Sequence, residues 1–325
     1  MTNAEIYKKT LTFSIRRLIF DIISLLIVAG LAVGGFFIAE KAFDQGPIGV
    51  VIGLVVGLII LAILTRFVSY IYKAGQIAMM TKGITEGELP DDVYKEGKKV
   101  VKERFGTVAA FFAVTAAIKG IFTQLGRAIT NVGRTIGGDN GGAVGSAIST
   151  AINTLVAYLC DCCLGWVFYR KDKGAARATC EGAVLFFKHG KTFAKNMGRI
   201  FGMSLLSLLA IGGVFAGIFY FVFTRFPAAF EKLAAEIAAA NAGEEESQKL
   251  MEILSNPKTL VIAVAVAAGI ALWSVIHSAF IRPFILTGVL RNYLQAGMED
   301  IPTEESFALL DSKSPKFAKL RKQLD

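Results

Sequence analysis

The blocking of apolar residues into long runs limits this chain more than any other feature. One run extends from Leu18 to Ile38, and another begins at Ile48. A helix needs about 20 mainly apolar residues to cross a hydrocarbon core of roughly 30 Å. Runs of that kind place spans at 17–39, 48–71, 106–126, 143–169, 200–224 and 259–281, the third being the weakest. Apolar residues make up 54% of the chain and charged residues 19%. A water-soluble fold cannot hide so much apolar surface, because its own surface grows with its mass. The expected fold is therefore all-α: a polytopic bundle of about six spanning helices in one integral membrane domain over 1–325.

Lys and Arg set the orientation. With the N-terminus inside, the inner stretches are 1–17, 72–105, 170–199 and 282–325. They carry 4, 7, 8 and 7 basic residues, 26 of the 35 in the chain. Cytoplasmic loops carry this excess, so both termini are expected in the cytoplasm of a multi-pass cell-membrane protein. The first run is too long for a signal-peptide core and reads as a retained anchor. The outer connections are a tight turn near Pro47, a glycine-rich bend at Gly137–Gly142, and a longer Ala- and Glu-rich loop over 226–257 that reads as short helices outside the membrane.

A repeat is visible when the chain is shifted by 183 positions. Arg16, Ser24, Leu25, Leu26, Gly30 and Gly34 then match Arg199, Ser207, Leu208, Leu209, Gly213 and Gly217. Both following helices run on into basic stretches that end near a proline, at Leu89-Pro90 and Ile301-Pro302. This predicts three hairpins with amphipathic cytoplasmic elbows, in units 1–105, 106–190 and 191–325.

Small residues at four-residue spacing mark close helix packing, since apolar side chains gain nothing over lipid by meeting each other. Gly49, Gly53 and Gly57 share one face of the second span, Gly30 and Gly34 one face of the first, and Gly213 and Gly217 one face of the fifth. Packing within the chain accounts for such faces, and a homo-oligomer interface is the alternative.

Ionisable residues inside spans are costly and so informative. Asp21, Arg66, Asp161 and His277 fall at similar depths and form a candidate intramembrane polar layer, with Arg66 or His277 as the expected partner of Asp161. Asp21 also stands four residues after Arg17, the spacing of a local ion pair. In the third segment Lys119, Arg127 and Arg134 recur on one helical face. They read either as a basic stripe along a water-filled path or as the polar side of a helix lying at the interface. The stretch 170–199, with eight basic and two acidic residues, is a candidate surface for anionic lipid head groups.

Several functions find no support. The net charge of +9 follows the membrane flanks, and no aromatic-basic motif for nucleic acid appears. Cys160, Cys162, Cys163 and Cys180 lack paired zinc spacing and read as small apolar packing groups. His189 and His277 are the only histidines, which excludes a multi-histidine metal site. No catalytic motif, metal ligand set or cofactor fingerprint is present. Cys162-Cys163, a basic elbow and His189-Gly190-Lys191-Thr192-Phe193 together resemble the stretch before the last two spans of the choline transporter-like family. The resemblance ends there: that family's outer domain and many of its helices have no counterpart. The repeat, the buried charges and the glycine faces favour a transporter- or channel-like protein. A scaffold, lipid-binding protein or partner subunit is the alternative.

Overall fold

The computed structural model describes residues 1–44, 46–137, 142–240, 255–312 and 314–322. The described residues form helices and turns, and no strand. In chain order the helices are α1 (Asn3–Phe43), α2 (Gly46–Val68), α3 (Ala74–Thr85), α4 (Val93–Phe105), α5 (Val108–Gly137), α6 (Gly142–Tyr169) and α7 (Ala175–Lys188). There follow α8 (Gly190–Ser207), α9 (Gly213–Phe223), α10 (Pro227–Ala240), α11 (Pro257–Ile276), α12 (Arg282–Glu299), α13 (Glu304–Asp311) and α14 (Pro315–Arg321). Short π turns at Ser69–Lys73, Leu208–Gly212 and His277–Ile281 join α2 to α3, α8 to α9 and α11 to α12.

Among the described residues three helices are long and apolar enough to cross a membrane: Asn3–Phe43, Gly198–Phe223 and Pro257–Glu299. The apolar part of α2, Ile48–Leu64, is shorter. A bent pair, Val93–Phe105 and Ala109–Gln124, would make a fourth if counted as one span. Its members meet at 80°, across Gly106 at φ 67, a backbone angle that glycine adopts without strain. Six spans are thus not what the described residues present.

The contacts divide the chain into two units, Met1–Gly198 with Pro283–Asp325, and Arg199–Arg282. The first holds a dense core. Ile6, Phe13, Met79, Trp166, Tyr293 and Phe317 are fully buried in it. α12 is the central rod: Leu290 meets the backbone at Gly165, Gly297 lies against the Trp166 ring, and the Tyr293 hydroxyl donates to the Gly182 carbonyl. Its Arg291 donates to the Met1 carbonyl at 2.7 Å and to Asn3 at 2.5 Å, tying the chain start to this rod. α1 therefore begins well before the apolar run, capped by Thr2 in a reciprocal box with Glu5. Its first turns belong to the core.

Beyond the core, α1 and α2 form an antiparallel hairpin whose outer faces are apolar and exposed. Ile38 is 70% exposed and Val51 60%, whereas Ile6 is fully buried. In water such faces would cost about 25 cal/mol for each Å², so they suit lipid. The second unit repeats the pattern, with Leu206, Leu209, Val214 and Ile262 all exposed on its helices. Asn256 caps α11 and Pro257 opens it. α10 packs on this unit through Ala234 and through Phe230, whose ring lies 5.5 Å from that of Phe223. Residues 241–254 of the expected outer loop lie outside the described residues.

The third expected span meets a different fate. Ile118, Ile121 and Phe122 of α5 are buried, and the Phe122 ring packs on Phe186 of α7 at 5.7 Å. Gln124 accepts hydrogen bonds from the Ser314 hydroxyl at 2.6 Å and the Lys316 amide at 3.2 Å. The far end of 106–126 thus lies against 170–199 and 282–325, the stretches expected on the side where it starts. A helix whose apolar face is filled by protein has no need of lipid.

Candidate functional site

Of the expected polar layer, Asp21, Asp161 and His277 have described side chains. Asp21 lies 3.8 Å from Arg17, one turn earlier on α1. Asp161, on the inward face of α6 and 3% exposed, holds the Lys73 ammonium at 2.6 Å. Lys73 is the last residue of the π turn after α2. A π turn closes i to i+5 bonds, and this shifts the phase so that Lys73 reaches α6. Lys73, which the sequence reading did not name, is thus a partner of Asp161. The Arg66 side chain lies outside the described residues. His277 belongs to the second unit, where its Nε2 lies 3.0 Å from the Ser204 hydroxyl. There Trp273 Nε1 donates to Ser207 at 3.1 Å, Ser207 donates to the Ser204 carbonyl at 2.9 Å, and the Trp273 and His277 rings are 4.9 Å apart. Each polar group has a local partner.

The glycine faces divide in two. A Cβ at Gly49 would strike the Gly35 carbonyl, and one at Gly53 the Leu31 carbonyl; at Gly57 it would sit 3.1 Å from Val28 Cα. At Gly49 and Gly53 backbone meets backbone, and only glycine fits without a shift. Gly30, Gly34, Gly213 and Gly217 meet nothing within 4 Å. In the second unit the close approach falls at Gly269, where a Cβ would come within 2.7 Å of the Gly212 carbonyl and the Ala216 amide. Sequence spacing located the α2 face but missed Gly35 and Gly269, which stand outside a run of spaced glycines.

Lys119 is exposed on α5, while the side chains of Arg127 and Arg134 lie outside the described residues. Four basic residues of 170–199 have acidic partners. Arg170 pairs with Asp172 at 2.9 Å and with Glu181 at 2.8 Å, and Trp166 Nε1 donates to Glu181 at 3.2 Å. Arg177 bridges Glu181 and Glu304, and Arg321 continues to Glu304 and Asp311. Seven charges of alternating sign thus run from Asp172 to Asp311, with the Arg177 guanidinium 4.5 Å over the Phe307 ring. Lys171 pairs with Glu86, and Lys188 with Asp300 at 2.6 Å. The hydrogen bond from Arg170 holds the Asp172 carboxyl below its usual range, and that from Lys188 does the same for Asp300. Arg104 donates to the carbonyls of Lys173 and Arg170, closing the open end of α6. Glu304 sits 127 positions from Arg177 and Asp300 112 from Lys188, so a local charge count could not reveal these two partners.

No family model, no curated protein and no solved structure matches this chain. The geometry alone carries the functional argument, and the likeness around Cys162 and His189 gains no relative to extend it.

All four cysteines are free thiols. Burial pushes the Cys180 thiol up to about 12, which makes it a poor nucleophile. Among the described residues no group of three His, Cys, Asp or Glu could hold a metal ion. The arrangement stores charge in closed networks and offers no set of convergent reactive groups.

Proposed function

We propose that this chain is an integral membrane protein of the cell membrane that serves as a non-transporting component, a scaffold or partner subunit, with both termini in the cytoplasm. Two helical hairpins, α1 with α2 and α8–α9 with α11, provide the membrane anchors, and they stand where the sequence repeat places its two copies. The elbows, α3 and α12, continue into helices that suit a cytoplasmic surface. α5 belongs with that helical body and adds no span.

The observation that carries this reading is the pairing of Asp161 with Lys73. An intramembrane polar layer shared among helices was the main support for transport. Asp21, Asp161 and His277 are instead satisfied separately, by Arg17, Lys73 and Ser204. The open faces at Gly30 and Gly34 leave room for a second copy or a partner helix on α1. Among the described side chains of 170–199, Arg170, Lys171, Arg177 and Lys188 have acidic partners, so that stretch offers less to lipid head groups than its composition suggests.

Two measurements test the proposal. Proteoliposomes loaded with potassium, chloride or protons should leak no faster than protein-free vesicles. A flux that Asp161→Asn abolishes would return the chain to the transporters. Single cysteines at 173–195 should react with impermeant maleimide only after cells are permeabilised, and cysteines at 228–235 in intact cells. The reverse pattern would overturn the orientation.

A further inference from the structure

The start of α1 carries a groove that neither the hairpin packing nor the α7 charge network uses. It encloses about 690 Å³, and Lys8, Lys9, Ile15, Arg16, Ile19 and Ile23 line it with Tyr72 opposite. Lys8, Thr12, Ile15, Ile19 and Ile23 recur every three or four residues and share a helical face, with Lys9 and Arg16 beside them. The Arg16 guanidinium sits 4.1 Å over the Tyr94 ring, Lys98 reaches the same ring at 5.6 Å, and Tyr94 stacks on Tyr72 at 5.9 Å. No acidic side chain lines the groove. Among the described residues Lys8, Lys9, Arg16 and Lys98 enter no ion pair, whereas Arg17, next in sequence, has Asp21. Lys8, Lys9 and Arg16 are all exposed.

The chemistry changes in order along the helix. Lys8 and Lys9 come first, then Arg16 about 11 Å on, then Ile19 and Ile23 up to about 10 Å further, at 1.5 Å per residue. Ammonium groups, a guanidinium among tyrosine rings, and branched aliphatics thus succeed one another over the length of a lipid head group and upper chain. Tyrosine is enriched at this depth of a bilayer because its ring is apolar and its hydroxyl polar. Arg binds phosphate through paired N–H groups. A soluble anion would use the basic end and leave the aliphatic wall bare. The wall is continuous with the exposed apolar face of α1.

We propose that this groove binds one anionic phospholipid, its phosphate at Arg16, its head group toward Lys8 and Lys9, and an acyl chain along Ile15, Ile19 and Ile23. The proposal rests on the reading of α1 as a membrane helix and goes beyond it by naming a lipid class and a site.

The test uses the full chain in detergent with spin-labelled phosphatidylglycerol and phosphatidylcholine. The wild-type protein should retain phosphatidylglycerol in preference. Each basic residue near a membrane surface is worth about fivefold in affinity for anionic lipid. Arg16→Gln should therefore lower phosphatidylglycerol binding about fivefold, and Lys8→Gln with Lys9→Gln about 25-fold. Phosphatidylcholine binding should not change. Lys99→Gln, a charge-matched change at an exposed pair with Glu103, should have no effect. The Lys8 and Lys9 variant breaks no ion pair or ring contact among the described residues, so it keeps the test clean if loss of the Arg16–Tyr94 contact disturbs folding. Equal binding of the two lipids, or unchanged affinity in the Lys8 and Lys9 variant, would overturn the proposal. So would complete displacement of the lipid by inorganic phosphate, which would mark a soluble-anion site. Alkaline washing of membranes separates the two ideas. Extraction of the protein would refute the membrane helix itself, whereas retention without lipid preference would refute the groove alone.

Discussion

Removing Lys73 should damage the protein more than removing Asp161, although the two make one ion pair. At an effective dielectric constant of about 20, charges 2.6 Å apart attract by about 6 kcal/mol before desolvation is counted. Desolvation offsets much of that, and breaking a buried pair typically costs about 3–5 kcal/mol because one charge is left behind. The partners differ in what they can do alone. Lys73 is 34% exposed and its long stem can swing the ammonium to water. Asp161 is 3% exposed on a short stem and cannot. Lys73→Gln should therefore cost about 3 kcal/mol, Asp161→Asn about 1 kcal/mol, and the double change little more than Asp161→Asn alone. A shift of about 2–4 °C per kcal/mol is usual for units of this size. The melting midpoint in detergent should then fall by about 6–12 °C for Lys73→Gln and by about 2–4 °C for Asp161→Asn. Static light scattering in the same scans would identify aggregation. Additive losses, or a larger loss from Asp161→Asn, would refute the assignment of Lys73 as the partner.

Gly53→Leu should lower thermal stability by at least 1–3 kcal/mol, roughly the cost of overpacking, because its Cβ would strike the Leu31 carbonyl. Gly34→Leu, into open space, should cost no more than about 0.5 kcal/mol, so equal midpoints in a melting scan would remove the argument. Asp172 and Asp300 have lowered carboxyl pKa values, so their contribution is complete above the ordinary carboxylate range and is lost as pH falls through the lowered values. Melting midpoints measured from neutral pH down to about pH 3 should fall less steeply for Asp172→Asn with Asp300→Asn than for wild type, and identical slopes would show that the two pairs carry no pH-dependent stability.

The apolar runs made the helical class legible, because a block of branched aliphatics has few alternatives once it must satisfy its backbone. The runs alone could not decide 106–126, since Phe111, Ile118 and Phe122 are as apolar facing a protein core as facing lipid. Hydropathy measures what a side chain avoids, and both surroundings avoid water. The glycines of α2 were readable because backbone contact demands a repeated absence of side chain. The partner of Asp161 was not, because equal depth in a membrane says nothing about rotation around the helix. Lys73 was hidden by the π turn, which changes that rotation at a point the sequence does not mark. The α7 network was hidden by distance along the chain: Glu304 and Asp311 look like acids of a tail until folding brings them to Arg177 and Arg321.

The π turn at Ser69–Lys73 also sets how the first hairpin can vary. From the Val28–Gly57 contact to the Phe13–Gly75 contact, α1 uses 15 residues and its partner 18. The wider turn takes up part of that excess and works as a keyed joint between two rods. Above it, glycine steps of four hold α2 to α1; below it, α3 is locked by Gln76, which donates to Ser14 at 3.0 Å. Paired insertions of a whole turn above the joint would lengthen the apolar shaft and keep the phase of the rod below. Loss of one residue within the joint would instead rotate α3 by about 100°, one residue's share of a 3.6-residue turn. Ala74, Ile77 and Ala78, all buried, would leave their places in the core. A bilayer of different thickness is thus an easy adaptation for this hairpin, and a single deletion at 69–73 is a severe one.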